Sequence, residues 1–534
     1  MHILIASSEV VPFAKTGGLA DVAGALPGAL ARMGHRVSVV TPYYRRTREG
    51  GFPVKPAGVD LRVPVGGQVL PGRVLRGAMP GSKATVYFVD APELYDRAEL
   101  YGIPKGDYAD NATRFIFFSR AVLELARTLR PAPDVIHAND WQSGLVPVYL
   151  KSLYRDVRAA GEGTGCLFTV HNLAYGGLFW HYDMELTGLP WMLFNWRQLE
   201  FHGKLGLLKG GLVFADSINT VSPRYAEEIQ TEEFGCGLEG VLAERKADLF
   251  GVINGIDYSH WSPEKDKLLP ARYSAGKLAG KARCKAALQK LYGLPARKDV
   301  PLVGLVGRLA EQKGVDILTE ALGGELLERD LQFVLLGTGN AKYHALLEKL
   351  GKKYPKKAGI RIAFDNKIAH LIEAGSDMFL MPSRYEPCGL NQLISLRYGT
   401  VPVVRATGGL ADTITDATAD PKEGNGFSFE PYTAEALADA VTRALALYSD
   451  KRAWRRLVLR GMKQDWSWDR SAREYVALYE RCATRARSGS ARLAPVPAKP
   501  KRKAAKPKSS AAAGVRKSRA RTSRGAAKRK RRRS

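Results

Sequence analysis

Ile3-Leu4-Ile5-Ala6-Ser7, followed by Lys15-Thr16-Gly17-Gly18-Leu19, is the stretch on which the reading of the chain turns. The first run is short and apolar, the pattern of a buried strand. From Leu19 to Met33 the apolar positions Leu19, Val22, Ala23, Leu26 and Leu30 recur with helical spacing. The order is therefore strand, glycine-bearing turn, helix. Two glycines let the backbone approach a ligand, and the first amides of the helix are expected to point outward unpaired. Such a helix start suits a phosphate, with Lys15 as a mobile positive charge beside it. A βα turn with two convenient glycines and a surface lysine would look the same, so the rest of the chain has to decide.

Working outward, short apolar runs alternate with helical patterns. In the first half the expected strands are Ile3–Ser7, Val37–Thr41, Thr85–Val89, Val135–His137, Leu167–Val170 and Ile218–Val221. The alternation restarts near Val300, with Leu302–Val306, Phe333–Leu336, Ile360–Phe364, Met378–Met381 and Val401–Val404. Continuous apolar strands separated by helices imply parallel sheets covered on both faces. The expectation is an α/β protein of two doubly wound domains, 1–260 and 261–465, facing a shared cleft, with the junction near Asp257–Ala271. A last helix follows at 466–484, and whether it crosses back to the first domain is left open. Ligands in such sheets sit beyond the carboxyl ends of the strands.

Composition bounds the function. Five cysteines lie far apart with no CxxC pair, which fits a reducing cytoplasm and argues against a disulfide framework or a zinc site. No run approaches the roughly 18 apolar residues of a membrane span, and no secretory signal is recognisable. Net charge is +28, yet 20 of the 81 basic residues and none of the 53 acidic ones fall at 485–534, which leaves the first 484 residues at +8. That tail has almost no large apolar residues and is expected to be disordered.

Several words place chemistry at strand ends. Asp134-Val135-Ile136-His137-Ala138-Asn139-Asp140-Trp141 and Thr169-Val170-His171-Asn172-Leu173-Ala174-Tyr175 each run a strand into polar residues. Gly307-Arg308-Leu309-Ala310-Glu311-Gln312-Lys313-Gly314 puts two cations after one strand, which suits a diphosphate whose charge grows as it departs. Ser383-Arg384-Tyr385-Glu386-Pro387-Cys388-Gly389-Leu390 carries a carboxylate able to hold sugar hydroxyls or to cap the next helix. Thr407-Gly408-Gly409-Leu410-Ala411-Asp412 repeats Thr16-Gly17-Gly18-Leu19-Ala20-Asp21 letter for letter.

Together with Asp107-Tyr108-Ala109-Asp110-Asn111 and Arg114-Phe115, this ordered set resembles bacterial glycogen synthase, a glucosyltransferase related to plant starch synthases, from Met1 to about Tyr479. The resemblance implies the GT-B fold, two Rossmann-like domains around a deep cleft. It implies transfer of glucose from ADP-glucose to the non-reducing end of an α-1,4-glucan with retention, and no metal or other cofactor. Carried over residue by residue, Lys15, Gly17 and Gly18 contact the donor near its phosphates, and Arg308 and Lys313 hold the diphosphate. Glu386, Cys388, Gly389 and Leu390 bind the glucosyl unit. Thr407, Gly408 and Gly409 seat the donor, and His171 and Asp140 line the sugar subsite. Many retaining enzymes of this fold carry a second Glu eight residues after the first; here that position is Ile394, as is common in the glycogen synthase group. Still open at this stage are a related transferase using UDP-glucose or sucrose chemistry, a covalent rather than a front-face mechanism, and a binding protein with an idle core. A basic tail gains nothing electrostatically from neutral glucan, so nonspecific binding of nucleic acid or another polyanion through 485–534 is set against a merely solubilising extension.

Overall fold

The computed structural model describes residues 1–103, 106–158 and 163–488. One sheet is built from β1 (His2–Ala6), β2 (Arg36–Pro42), β3 (Lys55–Val65), β4 (Gln68–Ala78), β5 (Thr85–Asp90), β6 (Val135–Asn139), β7 (Gly165–Val170), β8 (Ser217–Thr220) and β9 (Leu249–Gly251). Their spatial order is β9-β8-β7-β6-β1-β2-β5-β4-β3. Pairing is parallel from β9 to β5, while β4 runs antiparallel to both β5 and β3. The other sheet holds β10 (Leu302–Leu309), β11 (Gln332–Gly339), β12 (Ala358–Ile362), β13 (Met378–Met381), β14 (Val401–Arg405) and β15 (Phe427–Phe429). Its order is β12-β11-β10-β13-β14-β15, parallel throughout.

The strands at the centre are apolar along their whole length because helices cover both faces; β1, β6 and β7 are buried at every position. The chain order reverses beside β1 in the first sheet and beside β10 in the second. Those are the two switch points, where side chains after the strands meet a ligand crevice. Every expected strand lies in one of the two sheets. The β3–β4 hairpin, β9 and β15 were not foreseen. The hairpin strands mix Pro, Gly and charged residues with apolar ones, and only part of each is buried.

The chain passes from the first core to the second between Val252 and Ile256, slightly ahead of the expected junction, and returns at Ser467 between Trp466 and Trp468. The two crossings touch: the Ile256 amide donates to the Trp466 carbonyl at 2.8 Å. A Cβ on Gly255 would lie 2.6 Å from the Trp468 Cα, so only glycine permits that contact. The last helix runs from Trp468 to Arg487, three residues past the expected end, and packs on β7 and on the helix Gly18–Arg32. Its Tyr479 hydroxyl bonds His137 Nδ1 at 2.9 Å, and Thr169 Oγ1 bonds His137 Nε2 at 2.7 Å. His137, which opened one candidate word, is thus a core residue tying the returning helix to the sheet. Of the basic tail, residues 485–487 belong to this helix; 489–534 lie outside the described residues. Among the described residues no helix is long and apolar enough to cross a membrane.

Candidate functional site

After β1 the chain enters Ser7-Ser8-Glu9, and Glu9 is 4% exposed. Its carboxylate accepts from the Thr16 amide, from Thr16 Oγ1 at 2.6 Å, from the Gly17 amide at 3.0 Å and from the Tyr101 hydroxyl at 2.8 Å. The amides leading into the first helix are therefore not unpaired, as the sequence suggested; a buried acid caps them. Gly17 and Gly18 nonetheless have nothing within 4 Å of where a Cβ would stand, so a ligand has room to approach both, but the Gly17 amide expected to meet it is spent on Glu9. Lys15 is half-exposed and pairs with Asp21 at 2.7 Å. Behind this turn Arg114, fully buried, donates to the carbonyls of Leu94 and Leu100 and to Asn111 Oδ1, closing the loop that delivers Tyr101 to Glu9.

Asp140 follows β6 with φ 53° and ψ −179°, a conformation natural to glycine and worth about 1–3 kcal/mol of strain in any other residue. Its Oδ1 accepts the His171 amide at 2.7 Å, which joins the ends of β6 and β7. His171 Nε2 donates to Asn139 Oδ1 at 2.9 Å, leaving Nδ1 as the acceptor. Loss of solvent pushes the His171 pKa down to about 3, so the ring is neutral at physiological pH. Desolvation, helped by the nearby Glu9 charge, raises Asp140 to about 7 against the pull of the His171 and Asn172 amides.

That shift has a stability consequence of definite sign. Between about pH 4 and 7 the folded protein keeps a proton on Asp140 that the unfolded chain has released. The contribution is fully present below the unfolded value and is lost as pH rises through 7. Asp140→Asn keeps the Oδ1 acceptor and removes the titration. Its thermal midpoint is expected to fall less than that of the wild type between pH 5 and 8. Parallel curves would show that Asp140 does not titrate in this window; comparing the two proteins also cancels the like-signed contribution of buried Glu373, raised to about 8.

At the switch point of the second sheet, Arg308, the penultimate residue of β10, is exposed, and the turn Glu311–Lys313 follows. Lys313 Nζ lies 2.6 Å from Glu386 Oε2, and Ser383 Oγ donates to the same oxygen at 2.9 Å. Glu386 is 5% exposed. Gly314 takes φ 70°, and a Cβ there would sit 1.9 Å from the Pro382 carbonyl oxygen, so the Lys313 turn and the Glu386 turn are in backbone contact. Beneath Glu386, the Gly409 amide donates to its carbonyl at 3.1 Å. Gly408 and Gly409 leave no room for a side chain: a Cβ would meet the Glu386 and Cys388 carbonyl oxygens at 2.1 and 2.2 Å. These glycines support the Glu386 turn from below. Cys388 is buried, its thiol raised to about 12 by desolvation and engaged with Asn254, so it is no nucleophile. Gly389 has φ 73°, and Leu390 caps the helix Asn391–Arg397.

The two halves meet through specific bonds. Asn172 of the His171 loop bonds the Tyr385 hydroxyl of the Glu386 turn. Glu228, on the helix Pro223–Glu228, accepts from the Gly408 amide at 3.0 Å and from Thr407 Oγ1 at 3.3 Å. Both copies of the repeated six-residue word thus present a Thr hydroxyl and a Gly amide to a buried glutamate, Glu9 in one and Glu228 in the other. The structure brings Asp140 to His171, Lys313 to Glu386, and the two loops carrying these pairs to each other. Lys15 contacts none of them directly; its side-chain partner is Asp21. Glu9, Glu228, Asn172 and Tyr385 were not singled out from sequence. Glu9 had one available signal, an acid just past the first strand; Glu228 had none.

The comparisons agree with this architecture. A family model described as starch synthase catalytic domain matches residues 2–244, and one described as glycosyl transferases group 1 matches residues 293–456. A glycogen synthase of Koribacter versatilis is 51% identical over 481 residues, covering 90% of this chain and 98% of the relative. Glycogen synthase 2 of Geobacter sulfurreducens is 49% identical over 483 residues, covering 90% and 99%. Among solved structures, the catalytic domain of starch synthase IV from Arabidopsis thaliana bound to ADP and acarbose superposes with TM-score 0.81 at 33% identity, covering 91% of this chain and 99% of that one. Sharing about half its residues with such relatives along nine-tenths of its length, and built on the same pair of sheets, the chain belongs to the glycogen synthase family of starch synthase-type glucosyltransferases.

Proposed function

We propose that this member of the family moves glucose from ADP-glucose to the non-reducing 4-hydroxyl of an α-1,4-glucan, releasing ADP and retaining the anomeric configuration. The observation that carries the reading is the Lys313–Glu386 pair at 2.6 Å, set at a switch point beside Arg308 at the end of β10. As the bond from the glucosyl carbon to the diphosphate breaks, negative charge collects on the leaving oxygens, and Arg308 and Lys313 are the cations within the same turn to receive it. Lys15 adds a third from the first domain, beside the two open glycines. Glu386, held by Lys313 and Ser383, faces positive charge developing on the sugar. Asp140 and the neutral ring of His171 hold the sugar from the opposite loop. The acceptor hydroxyl attacks on the face the diphosphate leaves, and its proton passes to the departing phosphate oxygen. Glu386 acts by charge and position; trapping a glucosyl adduct on it would overturn this front-face course.

The support for the donor and acceptor is the family itself and the ADP- and acarbose-bound starch synthase structure. Purified protein given glycogen with either ADP-glucose or UDP-glucose is expected to incorporate glucose and release ADP from the first far faster than UDP from the second. Preference for UDP-glucose would move the assignment to the alternative donor. The same reading puts the reaction in the cytoplasm. For the tail the reading is nonspecific polyanion binding: full-length protein should retain duplex DNA with a steep salt dependence, and a chain ending at Ser488 should not. Equal weak binding by both would dismiss it.

A further inference from the structure

Arg384 stands two residues before Glu386 in the turn after β13, and its side chain is 48% exposed. Exposure alone would make it an ordinary surface charge; its contacts do not. The Arg384 amide donates to the Gln312 carbonyl at 2.9 Å, one residue before Lys313. Its guanidinium reaches the same turn and the helix behind it, with Nη2 2.9 Å from Glu311 Oε1 and 3.5 Å from Asp316 Oδ2. The guanidinium also lies over the Tyr432 ring, 4.4 Å from its centroid. The Tyr432 hydroxyl donates to Asp316 Oδ1 at 2.6 Å, so one tyrosine supports the arginine with its face and holds the partner acid with its tip. From another side Arg405 Nη1 donates to the Arg384 carbonyl at 2.6 Å, and Arg405 Nε to the Glu430 carbonyl at 3.0 Å.

These groups come from the carboxyl ends of four strands. Glu311 and Asp316 follow β10, Arg384 follows β13, Arg405 closes β14 and Tyr432 follows β15. The arginine is therefore the point at which the Lys313 turn and the Glu386 turn are fastened to each other. The 2.6 Å contact of Lys313 with Glu386 spans the same gap. Gly314 and Pro382 already touch at one place in that gap, and Arg384 ties it at a second. Exposed ion pairs add little to stability, so the network earns its place by geometry. A planar guanidinium can fork to two acids while it stacks on a ring, which holds it in one orientation; an ammonium cannot. The two acids also neutralise it, so a phosphate would gain little by meeting it.

We propose that Arg384 is a positioning residue: stacked on Tyr432 and paired with Glu311 and Asp316, it sets the separation of Lys313 from Glu386 and touches no substrate itself. The inference rests on the proposed function for what that separation serves. Arg384→Ala is expected to lower kcat about tenfold, less than the loss of Lys313 itself, because a displaced cation still acts. KM for glycogen should stay within about twofold, and a thermal midpoint within about 3 °C of wild type verifies the fold. Lys313→Ala/Arg384→Ala should turn over within about twofold of Lys313→Ala, because with one member of the pair gone there is no separation left to set. Arg384→Lys, which keeps the charge without the fork, should recover part of the loss. Hydrogen exchange reads the clamp without turnover. In Arg384→Ala the amides at 313, 314 and 384 should exchange about tenfold faster, with those inside β10 and β13 unchanged. A kcat for Arg384→Ala within twofold of wild type overturns the proposal, and so does unchanged exchange at those three amides. Losses that multiply in the double variant, or a KM for glycogen that rises while kcat holds, also overturn it and put Arg384 on a substrate. Wild-type protein that transfers no glucose from either nucleotide-sugar, while exchange still quickens in Arg384→Ala, would end the proposed function and leave the clamp intact.

Discussion

Arg308→Ala and Lys313→Ala are each expected to lower turnover by about 10²–10³-fold, the scale for removing one preorganised donor from a site of developing negative charge. The two variants reach that loss by different routes, and the difference is measurable. Arg308 is exposed at the end of β10, so its removal should leave the thermal midpoint within about 1–2 °C of wild type, as for surface substitutions generally. Lys313 neutralises Glu386, which is nearly buried. Its removal leaves a desolvated carboxylate with only Ser383 as donor, and an unpaired buried charge destabilises the fold. Lys313→Ala should therefore lose stability as well as turnover. Adding Glu386→Gln to Lys313→Ala should recover the stability but not the turnover. Near-wild-type turnover in both single variants would remove diphosphate stabilisation from the mechanism.

Sheets and site were unequally legible. The strands could be read because parallel strands covered on both faces need unbroken apolar runs, and Val135–Asn139 or Met378–Met381 can hardly be read otherwise. The β3–β4 hairpin was hidden because it is only partly buried, at the sheet's edge, and tolerates Pro, Gly and Arg. Candidate site residues stand out wherever a polar word closes such a run, as with Arg308 and Glu386. What sequence could not reveal was which polar groups are already spent. His137 and His171 open similar words, yet His137 is locked to a tyrosine 342 residues away. The first helix looked like an empty anion site, yet Glu9 fills the amides leading into it. A carboxylate that caps from across a turn or across a domain leaves no local pattern.

The repeated six-residue word makes that limit testable, because identical letters stand in opposite surroundings. Gly408 has φ 45°, and a Cβ would lie 2.1 Å from the Glu386 carbonyl oxygen. Gly408→Ala must adopt a left-handed backbone and displace the Glu386 turn, a combined cost of about 2–4 kcal/mol. That corresponds to a fall in midpoint on the order of 5–10 °C for a domain of this size. Moving Glu386 relative to Lys313 by even about 1 Å should also cost on the order of 10²-fold in turnover. Gly17 stands at the matching position with φ −144° and ψ −169°, extended backbone open to any residue, and nothing lies within 4 Å of its would-be Cβ. Gly17→Ala should change stability by less than about 0.5 kcal/mol. Its effect should appear in KM for the nucleotide-sugar, since the added methyl occupies the space left for ligand. Calorimetry and donor saturation curves on the two variants decide the matter. Equal midpoints would mean that Gly408 does not support the Glu386 turn, and an unchanged donor KM in Gly17→Ala would withdraw the first copy of the word from the donor site.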